Sequence, residues 1–270
     1  MSRRVMLDVE RKPGLRRFLD ELSRSTHSAL ALDYDGTLAP FRIDRFQAYP
    51  YPGVTERIRL LTVSGRTRVV MVSGRRAEEV RDLLGVTPPP EIWGQHGGQR
   101  LYPDGRSEMV AMKEADRATL EEAKNRLRAE GLEHLTELKP RGVAVHWRGL
   151  SAKNAEGIGA RVRDVFVPLA DRPGMSLLEF DGGLELRPNE PNKGSAIAAV
   201  RRELPEGTPL AFLGDDTTDE DAFRALHGTG ALTALVRTQW RQTSADVWLR
   251  PPEELLEFLD AWLAQTGGAQ

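Results

Sequence analysis

The sequence predicts an α/β fold in which a largely parallel sheet, flanked by helices, is interrupted by an inserted α+β unit. Three observations lead there. Short apolar runs at 29–32, 68–72 and 210–213 stop abruptly at polar or acidic residues, as buried parallel strands do where they open onto a ligand-binding edge. Stretches of helical period, such as 77–84 and 195–204, follow such runs or lie between them. Between about 111 and 187 the pattern changes to helix, strand, helix and two strands, an order that does not continue the core's alternation.

Taken in order, residues 1–12 read as a tail and 13–25 as a helix with Leu15, Phe18, Leu19 and Leu22 on one face, a stripe suited to core packing. The strand at 29–32 then delivers Asp33 and Asp35, followed by the small, flexible pair Gly36-Thr37. Two carboxylates so close repel, and they call for a cation or a shared proton. The competing reading is an Asx-rich turn that caps the next element. After the strand at 68–72 come Ser73, Gly74 and Arg75. A hydroxyl, an accessible backbone N–H and a guanidinium make an anion site ahead of the helix at 77–84, although the triplet alone also suits an ordinary N-cap. Pro88-Pro89-Pro90 stiffens the approach to a strand at Ile92-Trp93. His96-Gly97-Gly98 leads into a hairpin that turns at Pro103-Asp104-Gly105.

The inserted unit is predicted as a polar helix over 114–130, a strand over 143–147, a helix over 155–169 and strands over 176–180 and 184–187. Pro191-Asn192-Lys193-Gly194 opens the helix at 195–204, and Lys193 there is either plain surface or a cation placed to neutralise a carboxylate and a phosphate together. The strand at 210–213 runs into Gly214-Asp215-Asp216-Thr217-Thr218-Asp219-Glu220-Asp221. Asp215, Asp216 and Asp219 carry too much charge for one loop unless cations compensate. Oxygen ligands without cysteine suit a hard cation such as Mg²⁺. A helix start, capped by Thr217 or Thr218, accounts for part of Asp219, Glu220 and Asp221 but not for Asp215 and Asp216. Strands at 232–236 and 247–249 and a helix at 253–264 complete the core, and 266–270 reads as a frayed end.

Composition agrees with this outline. A chain of 270 residues holds one large domain or a domain with an insertion. At 40% hydrophobic and 29% charged it has the composition of an ordinary globular protein. A net charge of −2 offers no general attraction to nucleic acid or acidic membranes, and Arg16-Arg17 and Arg75-Arg76 read as solvated faces. The absence of cysteine excludes disulfides, thiol nucleophiles and Cys-based zinc sites. The first residues are too charged for a signal segment and no apolar run spans a bilayer, so a cytoplasmic monomer with no membrane or nucleic-acid partner is expected.

Together and in this order, Asp33/Asp35/Thr37, Ser73, Lys193 and Asp215/Asp216/Asp219 resemble the motif set of the haloacid dehalogenase superfamily of phosphatases. The resemblance narrows to the trehalose-6-phosphate phosphatase family through His96-Gly97 and two stretches of the insert. These are Glu137-Leu-Lys139-Pro-Arg-Gly-Val-Ala-Val-His146-Trp-Arg148 and Gly183-Leu-Glu185-Leu-Arg187-Pro188. It covers the chain from about Ala29 to Trp248. It implies a Rossmann-like haloacid dehalogenase core over 25–110 and 188–270, an α+β cap over 111–187, and a tail and helix over 1–24. It further implies Mg²⁺ held by Asp33, Asp35 and Asp215, with Asp35 contributing its backbone carbonyl. Asp33 is then the nucleophile and Asp35 the acid and base. Ser73, Gly74 and Lys193 hold the phosphoryl group, with Thr37, Arg75 and His96 nearby, and Asp216 and Asp219 support Lys193 and metal-bound water.

The implied substrate is a small sugar phosphate, trehalose 6-phosphate, read in the cap by Glu137, Lys139 and Glu185 with Arg187, His146 and Arg148 near them. Without the resemblance, Glu137 and Lys139 read as a surface ion pair worth little. Two other functions stay open: a phosphatase for another sugar or glycoside phosphate, such as glucosylglycerol phosphate or sucrose phosphate, and a non-catalytic phosphate-binding regulatory module. The filled catalytic positions speak against the second.

Overall fold

The computed structural model describes residues 12–42, 44–180 and 182–267; residues 1–11 of the tail expected at 1–12, and 268–270 of the end expected to fray at 266–270, lie outside them. The chain divides into two compact units, one running to residue 109 and resuming at 192, the other comprising residues 110–191. The helix at the N-terminus belongs to the first unit, and residues 110 and 188–191 go with the second.

Before the insert, the first unit contains α1 (Pro13–Arg24), β1 (Ser28–Leu32), α2 (Val54–Ser64), β2 (Thr67–Val72), α3 (Ala77–Leu84), β3 (Glu91–Gly94), β4 (Gln99–Leu101) and β5 (Ser107–Met109). The insert contains α4 (Glu114–Ala129), β6 (Thr136–Lys139), β7 (Gly142–His146), α5 (Ala152–Ala170), β8 (Met175–Phe180) and β9 (Gly183–Pro188). The first unit then resumes with α6 (Lys193–Glu203), β10 (Leu210–Gly214), α7 (Glu220–Leu226), β11 (Leu232–Val236), β12 (Val247–Leu249) and α8 (Glu253–Thr266).

The sheet of the first unit runs β12-β11-β10-β1-β2-β3-β4-β5, parallel from β12 to β3 and antiparallel across β4 and β5. Strict period-two alternation gives it two apolar faces. Leu30 and Leu32 of β1, Val69 and Met71 of β2 and Leu213 of β10 join the core that includes residues of α1, α2, α3 and α8. Ala29 and Ala31, Val70 and Val72, and Phe212 join the opposite core with Ile197 and Val200 of α6 and Phe223 of α7. Burial on both faces is why these strands read as unbroken apolar runs. At their C-terminal ends β1, β2 and β10 run directly into polar residues, Asp33, Ser73 and Asp215.

The stripe on α1 is core, as its spacing predicts: Leu15, Phe18, Leu19 and Leu22 are all buried, and the Phe18 ring lies 5.5 Å from Trp262 of α8. Thr266, expected to fray, is instead the last residue of α8. It is buried, its hydroxyl donates to the Trp262 carbonyl at 3.0 Å, and Arg66 donates to its own carbonyl at 2.9 Å. The helix α2 has no counterpart in the sequence reading. Its Val, Thr and Ser content is weakly helical. Yet Val54, Ile58 and Leu61 recur at helical spacing, and Gly65 ends it in the left-handed conformation that favours glycine.

In the insert, β6-β7-β9-β8 form an antiparallel sheet. Val143, Val145, Leu184 and Leu186 face the core made with Leu120, Ala123 and Leu127 of α4 and Val162, Phe166 and Leu169 of α5. By alternation the other face carries Glu137, Lys139, Ala144, His146, Glu185 and Arg187, with Glu137, Ala144 and Glu185 in one row across three strands. Among the described residues no helix is long and apolar enough to cross a membrane.

Trp262 is the keystone of the α1–α8 contact. It is fully buried, lies 5.9 Å from the Phe258 ring, and donates its indole N–H to Thr67 Oγ1 at 3.0 Å. Trp262→Ala is expected to destabilise the protein by about 3–5 kcal/mol, the usual cost of deleting a buried aromatic side chain. Thermal and denaturant unfolding of the variant against wild type measures this.

Candidate active site

Asp33 follows β1 directly, and the chain after it folds back in a tight loop. Leu38 and Ala39 donate their N–H groups to the Tyr34 carbonyl, and Gly36 donates to the Ala39 carbonyl at 2.7 Å. Tyr34 anchors the loop from below, its ring buried and its hydroxyl on the Ala48 carbonyl at 2.8 Å. Gly36 has φ +82°, and a Cβ there would lie 2.1 Å from Asp215 Oδ2. Only glycine allows the two acidic loops to approach so closely.

Lys193 is the first residue of α6, placed by a capping box in which Asn192 Oδ1 accepts from the Ser195 N–H and Ser195 Oγ accepts from the Asn192 N–H, both at 2.9 Å. Its ammonium donates to Asp33 Oδ1 at 2.6 Å and to Asp219 Oδ1 at 2.7 Å, and all three groups are buried. Asp219 Oδ2 accepts the backbone N–H groups of Asp215 at 3.0 Å and Asp216 at 2.9 Å. Asp219 therefore shapes the loop that carries Asp215 and also orients the lysine. Thr37 donates to the remaining Asp33 oxygen at 3.1 Å. Asp216 caps the turn that follows, accepting from the Thr217 N–H at 2.7 Å.

The electrostatics are one-sided. Asp33, Asp215 and Asp219 bring ligand oxygens within 4.8 Å of one another, and Lys193 is the ammonium among them. Burial pushes the Asp33 carboxyl up to about 7 against the pull of Lys193, with Asp219 and Asp35 adding to the rise. Burial also raises Asp215 well above the ordinary carboxylate range, and Asp33 and Asp219 push it further. Burial alone would lower Lys193, but Asp219 and Asp33 outweigh it and its pKa is raised. Asp215 Oδ1 is buried and has no hydrogen-bond partner among the described residues. An uncompensated buried carboxylate oxygen is costly, and a cation supplies what the protein does not. The three carboxylates thus fit a metal site with oxygen ligands. Of these, Asp33 and Asp219 have both oxygens engaged by protein donors, whereas Asp215 Oδ1 has none. The Asp35 side chain is turned to Arg75 and is not part of this carboxylate cluster, as suits a residue expected to ligate through its backbone carbonyl rather than its carboxylate.

Ser73 follows β2, beside β1, and is buried, its Oγ accepting the Arg75 N–H at 3.2 Å. Arg75, expected with Ser73 and Gly74 at an anion, has its guanidinium engaged by the Asp35 carboxylate and the Arg45 carbonyl. Gln95 and His96 adopt positive φ, 53° and 56°, a strained pair for non-glycine residues. The Gln95 N–H donates to the Arg75 carbonyl at 2.7 Å and the His96 N–H to the Ser73 carbonyl at 2.9 Å, sewing this turn to the Ser73 loop. The His96 ring lies where a side chain on Gly74 would be, 2.6 Å from its ideal Cβ.

Residues that the motifs do not reveal hold the acidic loop from outside. Arg241 donates to the Asp216 carbonyl at 2.7 Å and the Asp215 carbonyl at 3.3 Å, and pairs with Glu220 at 2.6 Å. Arg237 reaches the Asp215 carbonyl at 3.4 Å. Glu220 Oε2 accepts the Ser244 N–H and Oε1 the Thr243 hydroxyl, so the 241–244 segment is strapped to the start of α7. Nothing in the sequence around Arg241 marks it.

On the polar face of the insert, Lys139 pairs with Glu185 at 2.5 Å and His146 with Glu137 at 2.8 Å. Glu137 and Lys139 are therefore each paired across the sheet rather than with one another. Glu185 is buried and Lys139 half-buried. Arg187 lies on β9 two residues beyond Glu185, and Arg148 lies in the turn after β7.

The chain is 32% identical over 263 residues to the trehalose-phosphate phosphatase of Mycobacterium leprae (strain TN), covering 90% of this chain and 59% of that relative. The chain thus spans about three fifths of the length of the curated relatives it matches. The C-terminal domain of trehalose-6-phosphate phosphatase from C. albicans superposes with a TM-score of 0.73 over 93% of this chain and 96% of that one, at 19% identity. A haloacid dehalogenase-like hydrolase from Bacteroides thetaiotaomicron superposes with a TM-score of 0.62 over 87% of this chain and 98% of that one, at 13% identity. These likenesses identify the fold as that of the haloacid dehalogenase-like hydrolases. The profile of the trehalose-phosphatase family matches residues 31–249, most of the chain. With that match and the mycobacterial relative, the chain belongs to the trehalose-phosphatase family.

Proposed function

We propose that this protein hydrolyses trehalose 6-phosphate to trehalose and inorganic phosphate through an aspartyl-phosphate on Asp33. The observation that carries the chemistry is the buried Asp33–Lys193–Asp219 arrangement beside an Asp215 oxygen with no protein donor. Family membership supports the choice of sugar. So does the polar face of the insert, whose Lys139–Glu185 and His146–Glu137 pairs offer donors and acceptors to hydroxyls.

In this reading an Asp33 oxygen attacks phosphorus as the bond to the sugar oxygen breaks, and Asp35 gives that oxygen a proton. Water then attacks the aspartyl-phosphate, its proton passes to Asp35, and phosphate leaves with Asp33 restored. Lys193 holds the Asp33 carboxylate in place and offsets charge on the phosphoryl oxygens. Ser73 and the Gly74 N–H serve as phosphoryl donors, since positioning and electrostatics dominate this chemistry. Asp33, Asp215 and the Asp35 carbonyl would hold Mg²⁺, which when bound offsets the repulsion between carboxylate and phosphate. Thr37 orients Asp33, while Asp216 and Asp219 shape the loop.

Asp33→Asn removes the attacking charge but keeps the shape. Its phosphate release is expected to fall to background while circular dichroism stays that of wild type. Wild-type turnover in a folded Asp33→Asn protein would exclude the covalent route.

Activity is expected to vanish on chelation and return with Mg²⁺. Ca²⁺ is expected to inhibit, because its larger and looser coordination shell misaligns the nucleophile. Phosphate release from exhaustively chelated protein, titrated with each ion, measures both effects.

Trehalose 6-phosphate is expected to be the best substrate in a panel that includes glucose 6-phosphate, sucrose phosphate and glucosylglycerol phosphate. Interactions with the distal sugar are remote from the reacting phosphate, so their binding energy is expressed at the transition state. Glu185→Ala should lower kcat/KM for trehalose 6-phosphate relative to an aryl phosphate by roughly ten- to a hundredfold, the equivalent of one charged hydrogen bond of about 1.5–3 kcal/mol. A wild-type protein indifferent to the disaccharide would point to one of the other sugar phosphates.

A further inference from the structure

Asp35 is held by a fork. Arg75 Nε donates to its Oδ2 and Nη2 to its Oδ1, each at 2.6 Å. The arginine is fixed on its other sides as well. Nη1 donates to the Arg45 carbonyl at 2.7 Å, and Glu79, itself paired with Arg45, lies 3.9 Å away. The guanidinium sits 5.8 Å from the centre of the buried Tyr34 ring, and the Arg75 backbone N–H is on Ser73 Oγ. The Arg75 side chain is 8% exposed and that of Asp35 25%. Of the two partners, the arginine is built into the fold and the carboxylate sits at the surface of the site.

A carboxyl group that delivers a proton to a departing oxygen needs one of its own oxygens turned toward that oxygen and the other fixed. A forked donor meets both needs, since one arm can release while the other keeps its oxygen and thereby the side-chain rotamer. A lysine ammonium is a single point charge on a flexible stem and offers no such pair of arms. We infer that Arg75 is a positioning residue for Asp35, holding one carboxyl oxygen while the other turns to the sugar oxygen. This rests on the reading of Asp35 as proton donor given above. It gives Arg75 a duty distinct from holding phosphate, since its Nε, Nη1 and Nη2 already donate to other groups.

The two duties respond differently to the leaving group. An alkoxide from a sugar must be protonated as it departs, whereas nitrophenolate departs without a proton. A residue that acts through the acid therefore matters more for a sugar phosphate than for p-nitrophenyl phosphate. A residue that grips the phosphoryl group matters equally for both.

The experiment is to measure kcat/KM for the best sugar phosphate of the panel and for p-nitrophenyl phosphate in wild type, Arg75→Gln and Arg75→Lys. The ratio of sugar to aryl phosphate is expected to fall at least about tenfold in Arg75→Gln, part of the 10²–10⁴-fold that a positioned acid supplies. In Arg75→Lys, which keeps the charge and can offer one contact, the ratio should fall less but measurably. Equal losses on both substrates, or a ratio unchanged in Arg75→Lys, overturn the inference. Should Arg75→Gln fail to fold, the lysine variant carries the same comparison. A wild-type protein that hydrolyses neither class refutes the hydrolase reading itself and takes this inference with it.

Discussion

The site depends on one buried ammonium. Lys193 binds Asp33 and Asp219 at once, 160 and 26 residues away in sequence. Removing one member of a buried ion pair typically costs about 3–5 kcal/mol, because the other is left charged in a medium that does not solvate it. The geometry around Lys193 follows from that constraint. The Asn192–Ser195 capping box fixes the start of α6 so that the lysine enters the acidic cluster. Asp219 spends its second oxygen on the Asp215 and Asp216 N–H groups, so the lysine is tied through it to the loop that carries the candidate metal ligand. β1, β10 and α6 thus end at one electrostatic knot.

Around this knot the cations are sorted by distance. Lys193 touches carboxylate oxygens inside the cluster, whereas Arg237 and Arg241 reach the main-chain carbonyls of Asp215 and Asp216 from outside, and the one carboxylate Arg241 pairs with, Glu220, lies outside the cluster. Arg75 takes the neighbouring Asp35 carboxylate out of the cluster altogether. Asp33, Asp215 and Asp219 are left facing each other with one ammonium among them, an excess of negative charge suited to a divalent ion. The arginines place their charge where it steadies the backbone without competing for the oxygens a metal would use.

Much of the arrangement could be read from the sequence. Apolar runs that stop at Asp33, Ser73 and Asp215 are legible because parallel strands covered on both faces must be apolar up to the point where the sheet ends. Val143 and Val145 alternate with Ala144 and His146 because one face of this antiparallel sheet is covered by helices. Other features depend on contacts between distant residues. Arg75 follows Ser73 as a phosphate-binding residue would, and only the folded loop brings Asp35 to its fork. Glu137 and Lys139 look like one pair, but strand register assigns each a different partner, His146 and Glu185. The helix α2 is hard to read in the sequence because its Val and Thr residues obscure a helical spacing that is present. Arg241 acts through backbone carbonyls, which no side-chain pattern records.

The insert also bears on the order in which the chain can assemble. β1 precedes residues 110–191 in the chain, and its partner β10 follows them. The insert's strands pair with one another within that stretch. Until β10 is made, β1 lacks one of its two neighbours, an unpaired strand edge of the kind that invites misassociation. Asp33 and its counter-ion Lys193 are likewise separated by the whole insert, so the ion pair on which the acidic cluster depends cannot form until residues 110–191 have been made.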